Sequence, residues 1–240
     1  MRIEGQVVLV TGANRGLGAE YVRQLLDRGA AKVYAAARRP ETVSVADARV
    51  APVKLDVTNT ADIASVAAHC TDLTMLINNA GAVFGGRILA DNALENAKLE
   101  METNVWGPFN LARAFAPVLA ANGGGAIVNV LSAVAWTTFP DVATYAMSKS
   151  AAWSFTNGLR LELRKQGTLV VAVHPAFIDT EMAAAVPGPK TSTEQVVGRT
   201  LDGIEADQPE VLADDTAVFV KNHVPTHIET FYPKVAGPKP

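Results

Sequence analysis

Cysteine, aromatic side chains and long apolar runs are all scarce in this 240-residue chain. A single cysteine, Cys70, excludes an intramolecular disulfide framework and favours a reducing compartment. The 24 acidic and 21 basic side chains are scattered, and the absence of a basic cluster argues against a nucleic-acid partner. Every apolar run is interrupted before the roughly 18 to 20 residues that a bilayer span requires. We therefore expect a soluble, cytoplasmic protein without a membrane partner, and the N-terminal residues lack the features of a signal peptide.

Short apolar segments alternate instead with longer stretches of helical periodicity. Segments such as VVLV, AIVNVL and LVVAV are apolar throughout, which is typical of parallel strands covered on both faces. The strands are predicted at residues 6–11, 32–37, 51–56, 73–78, 126–132, 169–174 and 210–213. The helices are predicted at residues 17–26, 61–69, 95–121, 143–165 and 193–206, with Asp214 or Asp215 capping a further helix. This order predicts an α/β fold: one doubly wound, Rossmann-type parallel sheet of about seven strands, with helices on both faces.

No composition break divides the chain, so residues 1–240 are predicted to form a single domain. Residues 181–206 are rich in Ala, Pro and Gly where they begin, and we interpret them as a variable lid over the substrate. Residues 225–240 carry several prolines and are predicted to form an extended C-terminal tail.

The sequence TGANRGLG, residues 11–18, follows the first strand and leads directly into a helix. Gly12 allows a tight bend, Gly16 lets the backbone approach a pyrophosphate, and Gly18 allows close packing of helix on strand. The strand-turn-helix context predicts a dinucleotide site, whereas a P-loop is excluded because no Gly-Lys-Ser/Thr follows.

Arg38 and Arg39 end the second strand, where dinucleotide-binding folds often place an acid against the ribose. Arginine can clamp a 2′-phosphate through its planar donor fork, and Arg15 in the glycine turn can reach the same group. These residues favour NADP(H) over NAD(H), the alternative being two solvated surface charges.

Tyr145 and Lys149 are four residues apart, which places both on one face of a helix. A tyrosine is a weak acid near neutral pH, and a neighbouring ammonium lowers its pKa. Ser132 follows the strand before this helix, at the sheet edge where ligands of open α/β folds collect. A hydroxyl there can hold a carbonyl oxygen beside the phenol.

With these motifs the sequence resembles the short-chain dehydrogenase/reductase family. TGANRGLG is similar to that family's glycine turn, NNAG at residues 78–81 to its motif after the fourth strand, and YAMSK to its Tyr-x-x-x-Lys. Asn104 corresponds to the helix asparagine of the family's catalytic tetrad.

The resemblance implies a role for each matching position. Tyr145 is expected to be the general acid in reduction and the general base in oxidation, with Lys149 on the nicotinamide ribose, Ser132 on the substrate oxygen and Asn104 in a proton relay. The implied cofactor-binding residues are Gly12, Asn14, Arg15, Gly16, Leu17, Gly18, Arg38, Asp56, Val57, Asn79, Ala80, Gly81, Tyr145, Lys149, Pro175, Ala176, Ile178 and Thr180. Ala176 stands where the family usually has glycine. The family also implies a homodimer or homotetramer, and the small residues Ser148, Ala151 and Ala152 on the long helix suit close helix pairing.

The residues expected to face the substrate are mostly apolar, which favours an uncharged ketone, aldehyde or secondary alcohol. They are Val83, Phe84, Ala133, Val134, Trp136, Phe177 and Met182. The predicted protein is thus an NADPH-dependent carbonyl reductase or alcohol dehydrogenase.

Other functions remain as alternatives. An NADP(H)-binding regulator on the same fold would bind the cofactor without turnover, although it has no need of a matched tetrad. Ser132, His174 and Asp179 resemble a hydrolase triad in composition, but Ser132 lacks the Gly-x-Ser-x-Gly elbow. Pro225 lies between His223 and His227 and disfavours a helical metal pair, so we predict no metal site.

Overall fold

The protein is built around one parallel sheet. A computed structural model describes residues 1–184 and 188–232, without the side chain of Met182. The strand order is β3-β2-β1-β4-β5-β6-β7. The strands are β1 Val7–Thr11, β2 Lys32–Ala37, β3 Val50–Lys54, β4 Met75–Asn78, β5 Ala126–Val130, β6 Leu169–His174 and β7 Glu210–Leu212. From β1 the chain adds β2 and β3 towards one edge of the sheet, and it then returns to place β4 on the other side of β1. In open α/β folds, ligands bind in the crevice at such a switch point. The predicted fold class is confirmed.

Helices cover both faces of the sheet. They are α1 Gly16–Asp27, α2 Thr60–His69, α3 Ala93–Met101, α4 Gly107–Ala121, α5 Ala143–Leu163, α6 Thr193–Glu205, α7 Asp215–Asn222 and α8 His227–Phe231. Val8 and Val10 belong to the core under α1 and α6, while Leu9 belongs to the core on the opposite face. This alternation explains why the strands are apolar at every position.

The helix predicted over residues 95–121 is interrupted by a π-helical turn, Glu102–Trp106. The N–H of Gly107 donates to the carbonyl of Glu102, five residues earlier. Pro108 has no N–H to offer the carbonyl one turn before it, so a regular helix through this point is not available. The turn carries Asn104 into the interior, where it is 3% exposed.

The lid prediction was wrong for its second half, because α6 occupies Thr193–Glu205 and buries Val196, Val197, Leu201 and Ile204 in the core. For residues 181–192 a lid stays a prediction.

The prediction of an extended tail was wrong for residues 225–231, which form a 3₁₀ turn and α8. Pro225 suits the first turn of a helix, and Phe231 packs against the buried cluster of Ala133, Ala217 and Val220. Residues 233–240 lie outside the described part.

Asp214 is the cap of α7, since its Oδ1 accepts from the N–H of Ala217 at 2.8 Å. Of the three small residues predicted to pair α5 with a second subunit, Ser148 and Ala152 are buried within the subunit, at 0% and 2% exposed, and Ala151 is half-buried. Within residues 1–184 and 188–232, no helix has both the length and the apolar character for crossing a bilayer.

Candidate active site

The glycine turn after β1 has the open backbone that a pyrophosphate requires. Gly12 and Gly16 have φ of 66° and 51°, a region that favours glycine. A Cβ on Gly18 would lie 2.1 Å from the Gly12 carbonyl oxygen. Only glycine at position 18 therefore allows α1 to lie this close to the turn. The turn and the N-terminus of α1 therefore fit a dinucleotide phosphate.

The residues after β4 hold this turn in place. The side-chain amide of Asn79 donates to the carbonyl of Thr11 at 2.8 Å, and the Thr11 hydroxyl accepts from the N–H of Ala80 at 2.9 Å. The side chain of Asn79, which was expected to bind the cofactor, is thus used in hydrogen bonds that hold the glycine turn in place. The neighbouring Asn78 donates to Asn129 on β5 at 2.8 Å and ties β4 to β5.

The basic residues expected at a 2′-phosphate differ in their environment. Arg38 is exposed and forms no ion pair within the described residues, whereas Arg15 pairs with Glu181 across the mouth of the turn. Burial alone would raise the pKa of Asp56, but hydrogen bonds from Thr58 and the charges of Arg38 and Lys54 lower that pKa overall. Arg38 therefore stands close to Asp56 with its own donors available.

Ser132 lies at the end of β5, where it meets the end of β6. Its hydroxyl donates to the carbonyl of Pro175 at 3.3 Å and accepts from the N–H of Val134 at 3.3 Å. Tyr145, in the first turn of α5, lies near enough to Ser132 for the Ser132 hydroxyl to lower the pKa of the phenol. The two side chains are therefore neighbours at the sheet edge.

Lys149 lies one turn after Tyr145, with its ammonium 5.6 Å from the centre of the phenol ring. It donates to the carbonyl of Val130 at 2.9 Å and is 5% exposed. A Cβ on Gly81 would lie 3.9 Å from the Lys149 Nζ, so the absence of a side chain there leaves room beside the ammonium.

Burial acts on the two ionisable groups in opposite directions. It raises the pKa of Tyr145 above its ordinary value, the Ser132 hydroxyl lowers it, and the charge of Glu100 raises it further. Burial lowers the pKa of Lys149 to about 8. Lys149 is not among the groups that shift the pKa of Tyr145, and the expected lowering is not found; desolvation dominates and disfavours both charged forms. At neutral pH Tyr145 carries its proton and Lys149 remains mostly charged.

Asn104 is bound on three sides within the π-helical turn. Its Oδ1 accepts from the N–H of Ala82 at 2.9 Å, and its Nδ2 donates to the Ala82 carbonyl and to the Ser148 hydroxyl, each at 2.9 Å. Ser148 donates in turn to the carbonyl of Tyr145 at 2.7 Å. Asn104 therefore connects the loop after β4 with the helix that carries Tyr145 and Lys149.

Glu100 was not expected from the sequence. Its carboxylate is fully buried, and one oxygen accepts from the N–H groups of Phe84 and Gly85 at 2.8 and 2.9 Å. It thereby fixes the loop that presents Phe84. Asn96, one turn earlier on the same helix, α3, donates to the Gly85 carbonyl at 2.7 Å. Nothing local marks this glutamate, since it lies in an ordinary polar helix and its partners come from another segment.

Asp214 is a second unexpected residue. Besides capping α7, it accepts from the N–H of Ala176 at 2.7 Å and so fixes the segment after β6. The next residues of this segment pair with Thr191, which bridges Ile178, accepts from Asp179 and donates to Phe177. Thr180 lies against the glycine turn, its Cγ2 3.6 Å from where a Cβ on Gly16 would be.

The expected pocket residues lie on the loops after β4, β5 and β6. Phe84 and Phe177 are 55% and 46% exposed, and Ala133 is buried. Trp136 is directed away from the opening, since its ring stacks on His174 at 3.9 Å between centres. Val83 and Val134 are half-buried, and Met182 is outside the described side chains.

Three alternatives lose support. The His174 ring is 3.1 Å from the main-chain carbonyl of Ser132, so it does not activate that hydroxyl, and Asp179 is exposed. Among the described residues no group of His, Cys, Asp and Glu is suited to a metal ion. Cys70 is fully buried, and burial raises its pKa to about 12, so it is inert as a nucleophile.

Comparison with known proteins identifies the family. The sequence profile of short chain dehydrogenases matches residues 6–190. The chain belongs to the short-chain dehydrogenase/reductase family. This dehydrogenase is 30% identical over 194 residues to the NADP-dependent 3-hydroxy acid dehydrogenase of Schizosaccharomyces pombe, covering 76% of this chain and 75% of the relative. It is 30% identical over 236 residues to the 3-oxoacyl-(acyl-carrier-protein) reductase of Escherichia coli, covering 92% and 94%.

A solved structure is also similar along the whole length. It is a short chain dehydrogenase from Burkholderia cenocepacia in complex with NADP, with 41% identity, a TM-score of 0.94, and coverage of 99% of this chain and 100% of that one. The dehydrogenase described here is thus an oxidoreductase of this family on a single Rossmann-type sheet.

Proposed function

We propose that this dehydrogenase is an NADP(H)-dependent carbonyl reductase or alcohol dehydrogenase. The observation that carries the proposal is that Ser132 and Tyr145 are neighbours at the carboxyl edge of the sheet, close enough for Ser132 to lower the pKa of Tyr145, with the Lys149 ammonium one helical turn away. A hydrogen-bond donor, a proton donor and a cation at one point suit the reduction of a carbonyl group.

NADPH, when bound, supplies the hydride. The turn from Gly12 to Gly18 would hold its pyrophosphate, because the backbone there is open and α1 begins at Gly16. Arg38 would hold the 2′-phosphate, supported by its exposure and its lack of an ion pair among the described residues. Space beside Gly81 would admit the nicotinamide ribose to Lys149.

Tyr145 would donate its proton to the carbonyl oxygen as reduction proceeds, and its raised pKa keeps that proton in place beforehand. Ser132 would hold the same oxygen by a hydrogen bond. The buried Lys149 ammonium would stabilise the phenolate that forms, since an opposite charge in a water-poor site has a strong effect. Asn104 would keep the loop at Ala82 in register with α5.

An uncharged, largely apolar substrate suits the opening. Phe84, Ile88, Phe139 and Phe177 are each between 46% and 57% exposed, on the loops that follow β4, β5 and β6. The nearby Arg87 is paired with Asp141. The two curated relatives are named for acidic or carrier-bound substrates, whereas no unpaired cation stands among the residues proposed to line this pocket.

The first experiment is a titration of the purified protein with NADPH and with NADH, following tryptophan fluorescence and calorimetry, and then a panel of uncharged ketones and aldehydes. Tight NADPH binding followed by turnover supports the proposal. Tight binding without turnover on any carbonyl compound favours the regulatory alternative, and binding of neither cofactor removes both.

Arg38→Ser is expected to weaken NADPH binding by about 10- to 100-fold and to leave NADH binding almost unchanged. The reason is the loss of a charge-assisted hydrogen bond, worth about 1.5 to 3 kcal/mol. Calorimetric titration with both cofactors measures this difference. The neighbouring and equally exposed Arg39, changed to serine, is the matched control and should have the smaller effect. Equal weakening for NADPH and NADH would contradict the assignment.

We also propose a homo-oligomer in the cytoplasm. Trp106, Met147 and Leu161 are 45%, 46% and 79% exposed on or beside α4 and α5, an amount of apolar surface that suits a second subunit. Light scattering is expected to give twice or four times the mass of 25.3 kDa. A monomeric mass at micromolar concentration would contradict it.

A further inference from the structure

The end of β6 is tied to the end of β5 around Ser132. Leu131 donates through its N–H to the carbonyl of Val173, and Ala133 donates to the carbonyl of Pro175, each at 2.8 Å. Between these bonds, the His174 side chain lies 3.1 Å from the carbonyl of Ser132 through Nδ1. Pro175 has no N–H with which to continue the ladder, so side chains make the remaining links at Ser132: the His174 ring holds the Ser132 carbonyl, and the Ser132 hydroxyl donates to the Pro175 carbonyl.

The direction of this bond fixes the state of the imidazole. A carbonyl oxygen only accepts, so Nδ1 must carry a proton. Burial holds the pKa of His174 well below its ordinary value, so the ring is neutral at pH 7 and Nε2 has no proton. Among the described residues Nε2 has no hydrogen-bond partner, and Oε1 of Glu210 lies 3.7 Å from it, beyond hydrogen-bond distance.

Three further side chains hold the ring in its plane. The Trp136 indole stacks on it with 3.9 Å between centres and 21° between planes. The Lys221 ammonium lies 4.4 Å from the centre of the Trp136 ring, and it forms an ion pair with Glu210 at 2.9 Å. The imidazole is fully buried and cannot rotate without breaking this stack.

We propose that His174 is a positioning residue for the reaction: it holds the Ser132 carbonyl, and so sets the direction in which the Ser132 hydroxyl meets the substrate oxygen and Tyr145. This inference rests on the proposed function. Ser132 comes after the last residue of β5, between the backbone bonds that Leu131 and Ala133 donate to β6 and the residue after it, and its own carbonyl is held by the His174 side chain. A displacement of about 1 Å at a reacting group lowers the rate by as much as about 100-fold.

The tautomer is tested in the wild-type protein. In two-bond ¹⁵N–¹H spectra of histidine-labelled protein, one ring that resists titration down to pH 5 is expected to have a protonated Nδ1 and a bare Nε2. His174→Asn should remove this signal and so assign it. A protonated Nε2 at His174 would overturn the proposal without any need for a catalytic assay.

Kinetics test the positioning through a pair of matched variants. Asparagine offers an amide N–H close to the position of Nδ1, whereas glutamine places its amide about one bond further out. His174→Asn is expected to keep kcat within about 3-fold of the wild type, and His174→Gln to lower kcat by about 10- to 100-fold. Both variants should bind NADPH with nearly unchanged affinity, because the glycine turn and Arg38 follow β1 and β2, whereas His174 ends β6.

A double-variant cycle shows whether His174 acts through Ser132. On a Ser132→Ala background, His174→Gln is expected to have no further effect on kcat. Equal activities of the Asn and Gln variants, or additive losses in the cycle, would overturn the role of His174 while the proposed function stands. Failure of the wild type to turn over any carbonyl compound would remove the proposed function itself, and the role of His174 with it.

Discussion

Replacing Tyr145 with phenylalanine is expected to lower kcat for carbonyl reduction by about 10²- to 10⁴-fold, the range that general acid catalysis contributes. The substitution removes one oxygen atom, the proton donor, and leaves the ring in place beside Lys149. Binding of NADPH should change by less than about 3-fold, because the pyrophosphate and 2′-phosphate contacts are remote. Stopped-flow or steady-state kinetics, with calorimetry for the cofactor, measure the two effects separately.

Tyr21→Phe is the matched control for this variant. Tyr21 is fully buried, and its hydroxyl hydrogen-bonds with Thr200 at 3.2 Å between α1 and α6. Its loss should lower the free energy of unfolding by about 1 kcal/mol and leave kcat unchanged. Substantial activity in Tyr145→Phe would show that another group supplies the proton, and the proposed mechanism would be wrong.

Replacing Lys149 with methionine is expected to have two effects of opposite sign. The turnover should fall by at least about 10²-fold, because the cation that stabilises a Tyr145 phenolate is gone. The cofactor-free protein should become more stable at pH 7, since methionine fills the same space without a buried charge. The expected gain is about 3 kcal/mol, which corresponds to a pKa that burial lowers from 10.5 to about 8, at about 1.4 kcal/mol per pKa unit.

The stability gain should depend on pH in a defined window. Below about pH 8, Lys149 is charged in both the folded and unfolded states, and the full cost of its burial is present. Between about pH 8 and 10.5 the folded protein loses this proton before the unfolded chain does, so the wild type gains stability relative to the variant. The difference should vanish above pH 10.5. Urea unfolding curves at pH 7, 9 and 10.5 measure it.

Lys165→Met serves as the control, because Lys165 is exposed after α5 and its loss should change stability by less than about 0.5 kcal/mol. A Lys149→Met protein that is less stable than the wild type at pH 7 would mean that the bond to the Val130 carbonyl outweighs the burial of the charge. Lower turnover together with higher stability in Lys149→Met would show that the buried charge supports activity and lowers the free energy of unfolding, a relation common in enzymes.

Features that depend on neighbours along the chain were predictable. The turn at residues 11–18 was identified because glycines placed between a strand and a helix satisfy local backbone requirements. The alternation of parallel strands with helices follows from similarly local patterns, as does the cap of α7, for which the sequence offered Asp214 or Asp215. The spacing of Tyr145 and Lys149 fixed their shared face, since helix geometry repeats every 3.6 residues.

Features that depend on contacts between distant segments were not predictable. Glu100 appeared ordinary in the sequence, and His174 was considered only as part of a hydrolase triad, because the loop held by Glu100 and the carbonyl held by His174 belong to other segments. For the same reason the predicted lid was too long and part of the tail was wrongly predicted to be extended. The stacking of Trp136 on His174 was not foreseen either. Each depends on which surface is available for burial.

The sequence by itself determined the family, the parallel sheet and the identity of the groups at its edge, since these follow from periodicity, turn chemistry and motif spacing. Only the tertiary structure decided the state of those groups. A protonated Tyr145, a weakly basic Lys149 and a neutral His174 result from desolvation and from partners supplied by other elements. Desolvation is a property of the packed interior, where segments far apart in the chain together exclude water.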